Sequence, residues 1–314
     1  MTNVTVVIPV YNEAARLAEN LATTLDFLQG YDKVYHFDYV VVDDGSSDDS
    51  YEVARRIARV RQDFQVIRFA ENRGVGAALR AGFRRASGEY VVTLDSDLSY
   101  SPDVVIAVLN AIQFESADIA LASAYMPGGS VSNVPWLRKV LSREANRFLS
   151  MATNGRYATL TCMVRAYRRS TLAGLFCDAN GPELNAELLF AALRAGAKVT
   201  EIPAHLAWTH ERANDSSRLN WPRLGRVVWG VLRAGLHHRP ALWLAIPGLI
   251  PGLLPFVVAA LLLMRVSPQI LAIGTVATLI VQYVSLGIFA GQTASFFGVS
   301  YFTRRRQAVR FSKP

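Results

Sequence analysis

The sequence predicts an α/β domain with a mainly parallel sheet, then a basic amphipathic helix, then two transmembrane helices. Three observations carry this reading. Val- and Ile-rich runs alternate with segments of helical period through the first 215 of the 314 residues. Two long stretches in the last third hold no charged residue. Charge is also divided along the chain: after Asp215 there is no Asp or Glu but eleven Lys and Arg, so the net charge of +8 arises there. The pI near 9.7 is thus a property of the last third, which excludes a nucleic-acid-binding face over the whole protein. Two cysteines, Cys162 and Cys177, exclude a disulfide scaffold and a Cys-rich zinc module.

Val4–Val10 is a continuous β-branched run, as expected of a strand buried on both faces. Asn12 reads as the cap of a helix with Leu17, Leu21, Leu25 and Leu28 on its inner face. Tyr39–Val42 is a second strand, ending in Asp43-Asp44-Gly45-Ser46, and a helix starting at Ser47 or Asp48 runs through Val60. Val66–Phe69 is a third strand, Gly74–Ala86 a helix, and Tyr90–Leu94 a fourth strand ending in Asp95-Ser96-Asp97. Pro102–Phe114 is helical, Ile119–Ser123 is a strand, and Trp136–Ala152 keeps helical period, with Arg138, Lys139, Arg143 and Arg147 off its apolar face. Such alternation builds a mainly parallel sheet with helices on both faces.

Ala241–Met264 has no charged residue, and neither has the stretch from Val266 to Thr303, richest in apolar residues over Ile270–Phe289. Each is long enough to span, since a helical crossing takes about 20 residues. Pro247, Pro251 and Pro255 are tolerated in a bilayer, where neighbours satisfy the freed backbone. The basic flanks before the first span and after the second orient both to the cytoplasm. A helix starting at Pro222 carries Arg223, Arg226, Arg233 and His237 on one face and Leu224, Val227, Val228, Val231 and Leu232 on the other, suited to anionic headgroups. The expected division is residues 1–220, an interfacial helix at 221–240, a hairpin at 241–290 (about 241–264 and 270–289), and a basic cytoplasmic tail at 291–314. With no basic segment ahead of Val4–Val10, no signal peptide is expected. The expected location is the cytoplasmic (inner) membrane, the α/β domain and both termini on its cytoplasmic side.

Ligands of parallel sheets bind beyond the carboxyl ends of the strands, and there the sequence places Asp43, Asp44, Asp95 and Asp97. Carboxylates on separate strand ends suit a hard divalent ion shared with substrate phosphates, for which Asp97 is the first candidate. Asp48 and Asp103 read instead as helix caps. Asn72-Arg73-Gly74-Val75-Gly76 lacks the spacing of a dinucleotide loop. His36, His205, His210, His237 and His238 have no ligand spacing, and neither cysteine has a base beside it in sequence.

Four ordered motifs, Pro9-Val10-Tyr11-Asn12-Glu13, Asp43-Asp44-Gly45-Ser46-Ser47-Asp48, Asn72-Arg73-Gly74-Val75-Gly76-Ala77 and Asp95-Ser96-Asp97, resemble those of family 2 glycosyltransferases with the GT-A fold. Within that family the chain most resembles the dolichyl-phosphate mannose synthase branch, especially bacterial members with a C-terminal transmembrane hairpin that load a hexose onto undecaprenyl or another polyprenyl phosphate. The resemblance implies an inverting hexosyltransferase using a UDP- or GDP-linked sugar, Mg2+ or Mn2+, and a polyprenyl phosphate acceptor in a lipid bilayer; a homo-oligomer is left open. It implies Pro9, Tyr11, Glu13, Asp43, Asp44, Arg73, Asp95 and Ser96 for the nucleotide sugar, and Asp95 with Asp97 for the metal. Asp97, Arg212 and Arg218 are the implied catalytic residues, and Arg138, Ser142 and Arg143 the acceptor-phosphate residues. Gly128-Gly129, Asn146, Glu183 and Glu187 match further family positions.

The chain departs from the family where Ser99 replaces Gln, Ala124 replaces Arg, Asp215 and Arg218 replace Gly and Lys, and Thr161–Tyr167 replaces a commoner SGFR-type stretch. An ionised lipid phosphate attacks without a general base, whereas a diacylglycerol or protein hydroxyl, the alternative acceptor, needs one. A membrane scaffold with a degenerate transferase domain is the non-enzyme alternative.

Overall fold

The computed structural model describes residues 1–208 and 221–238, without the side chains of 221–224, 226–228 and 231. Met1–Ala234 forms one compact unit; Gly235–Pro314 is a second, described only for the last turn of one helix. The elements are β1 (Thr2–Val10), α1 (Ala14–Gln29), β2 (Tyr35–Asp43), α2 (Ser50–Val60), β3 (Phe64–Arg68), α3 (Val75–Arg85), β4 (Tyr90–Thr93) and α4 (Asp103–Phe114). Then come β5 (Ile119–Ser123), β6 (Ser130–Ser132), α5 (Trp136–Ala152), β7 (Arg165–Arg168), α6 (Arg169–Ala173), α7 (Leu184–Arg194), β8 (Val199–Pro203), β9 (His205–Ala207) and α8 (Trp221–His238).

The main sheet has the order β3-β2-β1-β4-β7-β5-β8. β1 lies parallel to β2 and β4, and its Val4, Val6, Val7 and Ile8 are fully or almost fully buried, as an apolar run covered on both faces requires. On one face α1 contributes Leu17, Leu21, Leu25 and Leu28 and α4 contributes Val105, Leu109 and Ile112 to a common core with Val4, Val6 and Ile8. On the other face α3 comes close enough that a Cβ on Gly82 would stand 2.2 Å from Val7 Cγ1. The sheet is parallel except for β7, which is antiparallel to both its neighbours β4 and β5.

Several local expectations need correction. Asn12 does not cap α1: its φ is 55°, its Oδ1 accepts the N–H of Ser47, and the helix begins at Ala14. α2 begins at Ser50 because the Asp48 carboxylate takes the N–H of Ser50 and, across the turn, that of Ala14. Asp48 thus serves the starts of two helices. β2 starts four residues before the apolar run, since Tyr35 already pairs with Thr2; the polar His36 and Asp38 hid this half of the strand. The short strands β6–β9 were not legible as apolar runs, being three to five residues long and partly polar. Helix α5 has the expected bounds, and α8 starts at Trp221, beside the expected Pro222.

Among the described residues no helix is long and apolar enough to cross a membrane. The stretches 241–264 and 270–289 lie outside the described residues, as do Arg212 and Arg218.

The tight seat of α3 on β1 generates a stability prediction. Gly82→Ala places a methyl group against Val7 and lowers stability by about 1–3 kcal/mol, the usual consequence of overpacking. Thermal unfolding of the purified chain reads it; an unchanged midpoint refutes the assigned packing.

Candidate active site

The chain runs from β1 through β2 to β3 on one side, then crosses back to lay β4 on the other side of β1. The crevice at the carboxyl ends of β1 and β4 is therefore the topological switch point, where such sheets bind ligands. The sequence-derived residues Pro9, Tyr11, Glu13, Asp43, Asp44, Arg73, Asp95, Ser96 and Asp97 all lie on or just beyond the carboxyl ends of β1 to β4.

Hydrogen bonds stitch these turns together. The N–H of Asn12 donates to Ser46 Oγ at 3.0 Å, that of Glu13 to Ser50 Oγ at 2.8 Å, and that of Ala14 to Asp48 Oδ2 at 3.0 Å. Burial pushes the Asp48 carboxyl up, but the Ser50 hydroxyl and the N–H groups of Ala14 and Ser50 outweigh it and hold the carboxyl below its ordinary value. Gly45, at φ 70°, lets this turn press on the next one: a Cβ there would stand 2.3 Å from the Glu71 carbonyl carbon.

The adjacent Asp43 and Asp44 do different work. Asp44 accepts Asn72 Nδ2 at 3.0 Å, Arg73 N–H at 2.8 Å and Gly74 N–H at 2.9 Å, so it fixes the turn that opens α3. Burial raises its pKa against the pull of those N–H groups. Asp43 is fully buried, and neither of its oxygens has a hydrogen bond; Arg68 Nε stands 3.5 Å from Oδ2 while its guanidinium stacks 4.5 Å above the Tyr51 ring. A buried carboxylate left without hydrogen bonds calls for an explanation, and a ligand-binding role is one. Tyr11, 40% exposed, stands just beyond the end of β1, and Arg73 lies over Phe69.

Beyond β4, Ser96 carbonyl oxygen accepts Asn20 Nδ2 at 2.9 Å, and Asp97 Oδ1 accepts the N–H of Ser99 at 2.9 Å. Asp95 and Asp97 are half-buried, two residues apart in a turn that passes through Leu98 at φ 53°. No group of three or more His, Cys, Asp or Glu is poised for a metal among the described residues. Mg2+ commonly takes only one or two protein carboxylates and completes its shell with substrate phosphates and water, so the donor set of Asp95 and Asp97 fits such an ion.

The same turn reaches α5 through a short relay. Ser99 carbonyl oxygen accepts the N–H of Ala207 on β9, Trp208 N–H donates to Ser132 on β6, and the Arg138 guanidinium lies 5.7 Å from the Trp208 ring. Arg138 is half-buried and Arg143 is exposed on the same helix; Ser142 is half-buried, and its carbonyl accepts Asn146 Nδ2. Asn146 is structural: its Oδ1 accepts the N–H of Leu160 at 2.7 Å and of Thr161 at 3.1 Å.

Two features escaped the sequence reading. Arg165, fully buried on β7 opposite Thr93, donates to the carbonyls of Cys162, Asn185 and Leu160 at 2.6–2.9 Å. An arginine inside Val164-Arg165-Ala166-Tyr167 was the available signal. The second is the segment 179–181, which accepts Gly76 N–H on Asn180 O at 2.7 Å; a Cβ on Gly74 would stand 2.3 Å from that same oxygen. The two glycines are thus explained by close approach of backbone to backbone. The segment is held in turn by Glu183, whose Oε1 accepts Gly181 N–H, while Glu187 lies 3.8 Å from Arg233 of α8. Burial raises the Glu187 pKa, eased by Arg233.

An α/β domain with carboxylates gathered at its switch point has the architecture of a protein that holds a ligand beyond its sheet. The particular family is Glycosyl transferase family 2, to which the chain belongs: residues 5–176 match that family. The chain is a glycosyltransferase. It is 32% identical over 241 residues to the polyprenol monophosphomannose synthase of Mycolicibacterium smegmatis, covering 74% of this chain and 87% of that protein. It is 32% identical over 293 residues to the undecaprenyl-phosphate 4-deoxy-4-formamido-L-arabinose transferase of Edwardsiella ictaluri, covering 90% of this chain and 84% of the other. A dolichol-phosphate mannosyltransferase of Pyrococcus furiosus is 37% identical over 142 residues, which span 39% of its length and 45% of this chain. The fold is shared with glucosyl-3-phosphoglycerate synthase of Mycobacterium tuberculosis, a structure holding Mn2+ and UDP, at a TM-score of 0.56 and 20% identity over 76% of this chain and 80% of that one.

The contrast between the paired aspartates generates a prediction. Asp44→Asn keeps one acceptor oxygen where two are used and lowers stability by about 1–3 kcal/mol. Asp43→Asn removes a buried charge without hydrogen bonds, leaves the unfolding temperature unchanged or higher, and weakens nucleotide-sugar binding about tenfold, or about 1.4 kcal/mol. Thermal unfolding with and without nucleotide separates the two; equal destabilisation by both variants refutes the division of labour.

Proposed function

We propose that the protein moves a hexose from a UDP- or GDP-linked donor to a polyprenyl phosphate, with inversion at the anomeric carbon, at the cytoplasmic face of a membrane anchored by 241–264 and 270–289. The observation that carries it is the carboxylate pair Asp95 and Asp97 at the switch point of a family 2 domain, together with relatives, matched over 84–87% of their length, whose names give polyprenyl-phosphate products or acceptors. Those relatives handle different sugars, so the reading names the acceptor class before the sugar.

In this reading Asp43 and Tyr11 take the base and ribose, and Asp95 and Asp97 hold a divalent cation, Mg2+ or Mn2+. When bound, the ion neutralises charge on the departing diphosphate. An acceptor phosphate oxygen attacks the anomeric carbon as the bond to the donor diphosphate breaks; the acceptor is already ionised near neutral pH, so no side chain need remove a proton. Arg138 and Arg143 of α5 steer the acceptor phosphate, and Arg212 and Arg218 take charge on the leaving diphosphate. Arginine suits both tasks because it stays charged and offers paired donors.

The deciding experiment incubates membranes containing the chain with radiolabelled nucleotide sugars and polyprenyl phosphate, then extracts lipid. Label in a lipid phosphate supports the reading; label only in diacylglycerol or protein overturns it. Asp97→Ala is expected to abolish transfer while the chain stays folded, and near-normal turnover would remove Asp97 from the reaction. Arg143→Ala is expected to raise the KM for lipid phosphate about tenfold, equal to about 1.4 kcal/mol, with the KM for nucleotide sugar little changed. A water-soluble short-chain polyprenyl phosphate keeps that defect; full recovery with it would assign Arg143 to headgroups alone.

A further inference from the structure

A second cleft lies on the flank of the domain formed by α3, α6, α7 and the segment 174–178, with a volume of about 490 Å3. It is distinct from the carboxylate site. Arg84 and Ala86 end α3, and Arg169 follows β7, whose Arg168 pairs with Tyr90 at the start of β4, so this end of the cleft lies at the amino ends of the strands. Three arginines line it, Arg80, Arg84 and Arg169, against one carboxylate, Asp178. Arg80 is committed to the Ala179 carbonyl and Asn180 Oδ1. The exposed side chains of Arg84 and Arg169 make no ion pair among the described residues. The remaining wall is apolar: Leu172 is buried, Leu175 half-buried, and Phe176 is 81% exposed, an aromatic ring standing in solvent beside two uncommitted cations.

We propose that this cleft binds an anionic phospholipid, with its headgroup phosphate at Arg84 and Arg169 and the first part of its chains along Leu172, Leu175 and Phe176. Charge complementarity selects an anion, since the lining carries two more cations than anions. The apolar wall selects an amphiphile over a free anion, because an exposed aromatic next to arginines is the pairing that a headgroup–acyl boundary satisfies on both counts. The volume is in the range of small-molecule sites. The inference rests on the membrane-bound reading of the chain, and it places a lipid contact on a face remote from the sugar-transfer site.

The test uses the full-length chain in neutral maltoside micelles and reads labelling of Cys177, which lines the cleft. Burial pushes its thiol up to about 11, so labelling with N-ethylmaleimide is done at pH about 9, where thiolate is present in measurable fraction. Cys162→Ser serves as background, removing the one other thiol, which is buried. Short-chain dihexanoyl phosphatidylglycerol at about ten times its Kd is expected to slow labelling about tenfold. Dihexanoyl phosphatidylcholine and inorganic phosphate are expected to do so far less. Arg84→Ala with Arg169→Ala, both at exposed positions, is expected to abolish the protection. Equal protection by phosphatidylcholine, equal protection by inorganic phosphate, no protection at all, or protection that survives the double substitution each overturns the proposal. Asp97→Ala is expected to keep the protection; its loss there would put the lipid in the transfer site and overturn the proposal too. Protection that persists in a chain that transfers no sugar to polyprenyl phosphate supports this site and refutes only the proposed function.

Discussion

The arrangement of the site depends on one buried carboxylate. Asp44 closes the second strand by accepting the side-chain amide of Asn72 and the backbone N–H groups of Arg73 and Gly74. Taking that charge out of water disfavours it, as the raised pKa records, and the three donors are what offset the penalty. Because Asp44 is spent on the fold, its neighbour Asp43 is carried into the interior by the strand with no hydrogen-bond donor of its own. Asp43 ends the strand and Asp44 begins the turn after it, so the two carboxylates of one dipeptide meet different surroundings.

From Asp44 the constraint passes along the chain by close packing. The turn it holds opens α3, whose Gly74 and Gly76 admit the backbone of Asn180. Asn180 belongs to a segment fixed by Arg80 on one side and by Glu183 on the other. Glu183 in turn lies against Gly230 of α8, where a Cβ would stand 3.0 Å from its Oε2, and one turn on Glu187 faces Arg233. A packed, hydrogen-bonded series therefore connects the turn beside Asp43 to a helix whose sequence continues into the uncharged stretches. The links at Gly74 and Gly76 have little slack, since their neighbours there are backbone atoms of residues 179–181.

Legibility in the sequence followed the length and purity of each signal. β1, α5 and β5 emerged with nearly their observed bounds because their patterns run unbroken, and the carboxylates at the ends of β2 and β4 were visible because Asp stands where an apolar run stops. The first half of β2 was hidden by His36 and Asp38, which face outward from a strand fixed by its register with β1. Asn12 was read as a cap from residue type alone, whereas its side chain and left-handed backbone serve the neighbouring turn. Nothing local announced that β7 would insert antiparallel between β4 and β5, because that pairing joins residues more than 40 positions apart. Arg165 shows the same limit: its acceptors are carbonyls scattered over residues 160 to 185, and only the folded chain brings them to one guanidinium.

The departure at Ala124 bears on the electrostatics of the proposed reaction. On the proposed reaction a donor diphosphate and an acceptor phosphate repel one another, and this chain has Ala124 where the family it resembles carries an arginine. Ala124 is 4% exposed, and the chain folds back on it so tightly that a Cβ on Gly129 would stand 2.9 Å from its carbonyl. The relay from Ser99 through Ala207 and Trp208 ends at Arg138 of α5, whose guanidinium lies 5.7 Å from the indole ring. Arg138, half-buried on α5, is thus a cation that backbone hydrogen bonds and a ring contact link to the turn after β4.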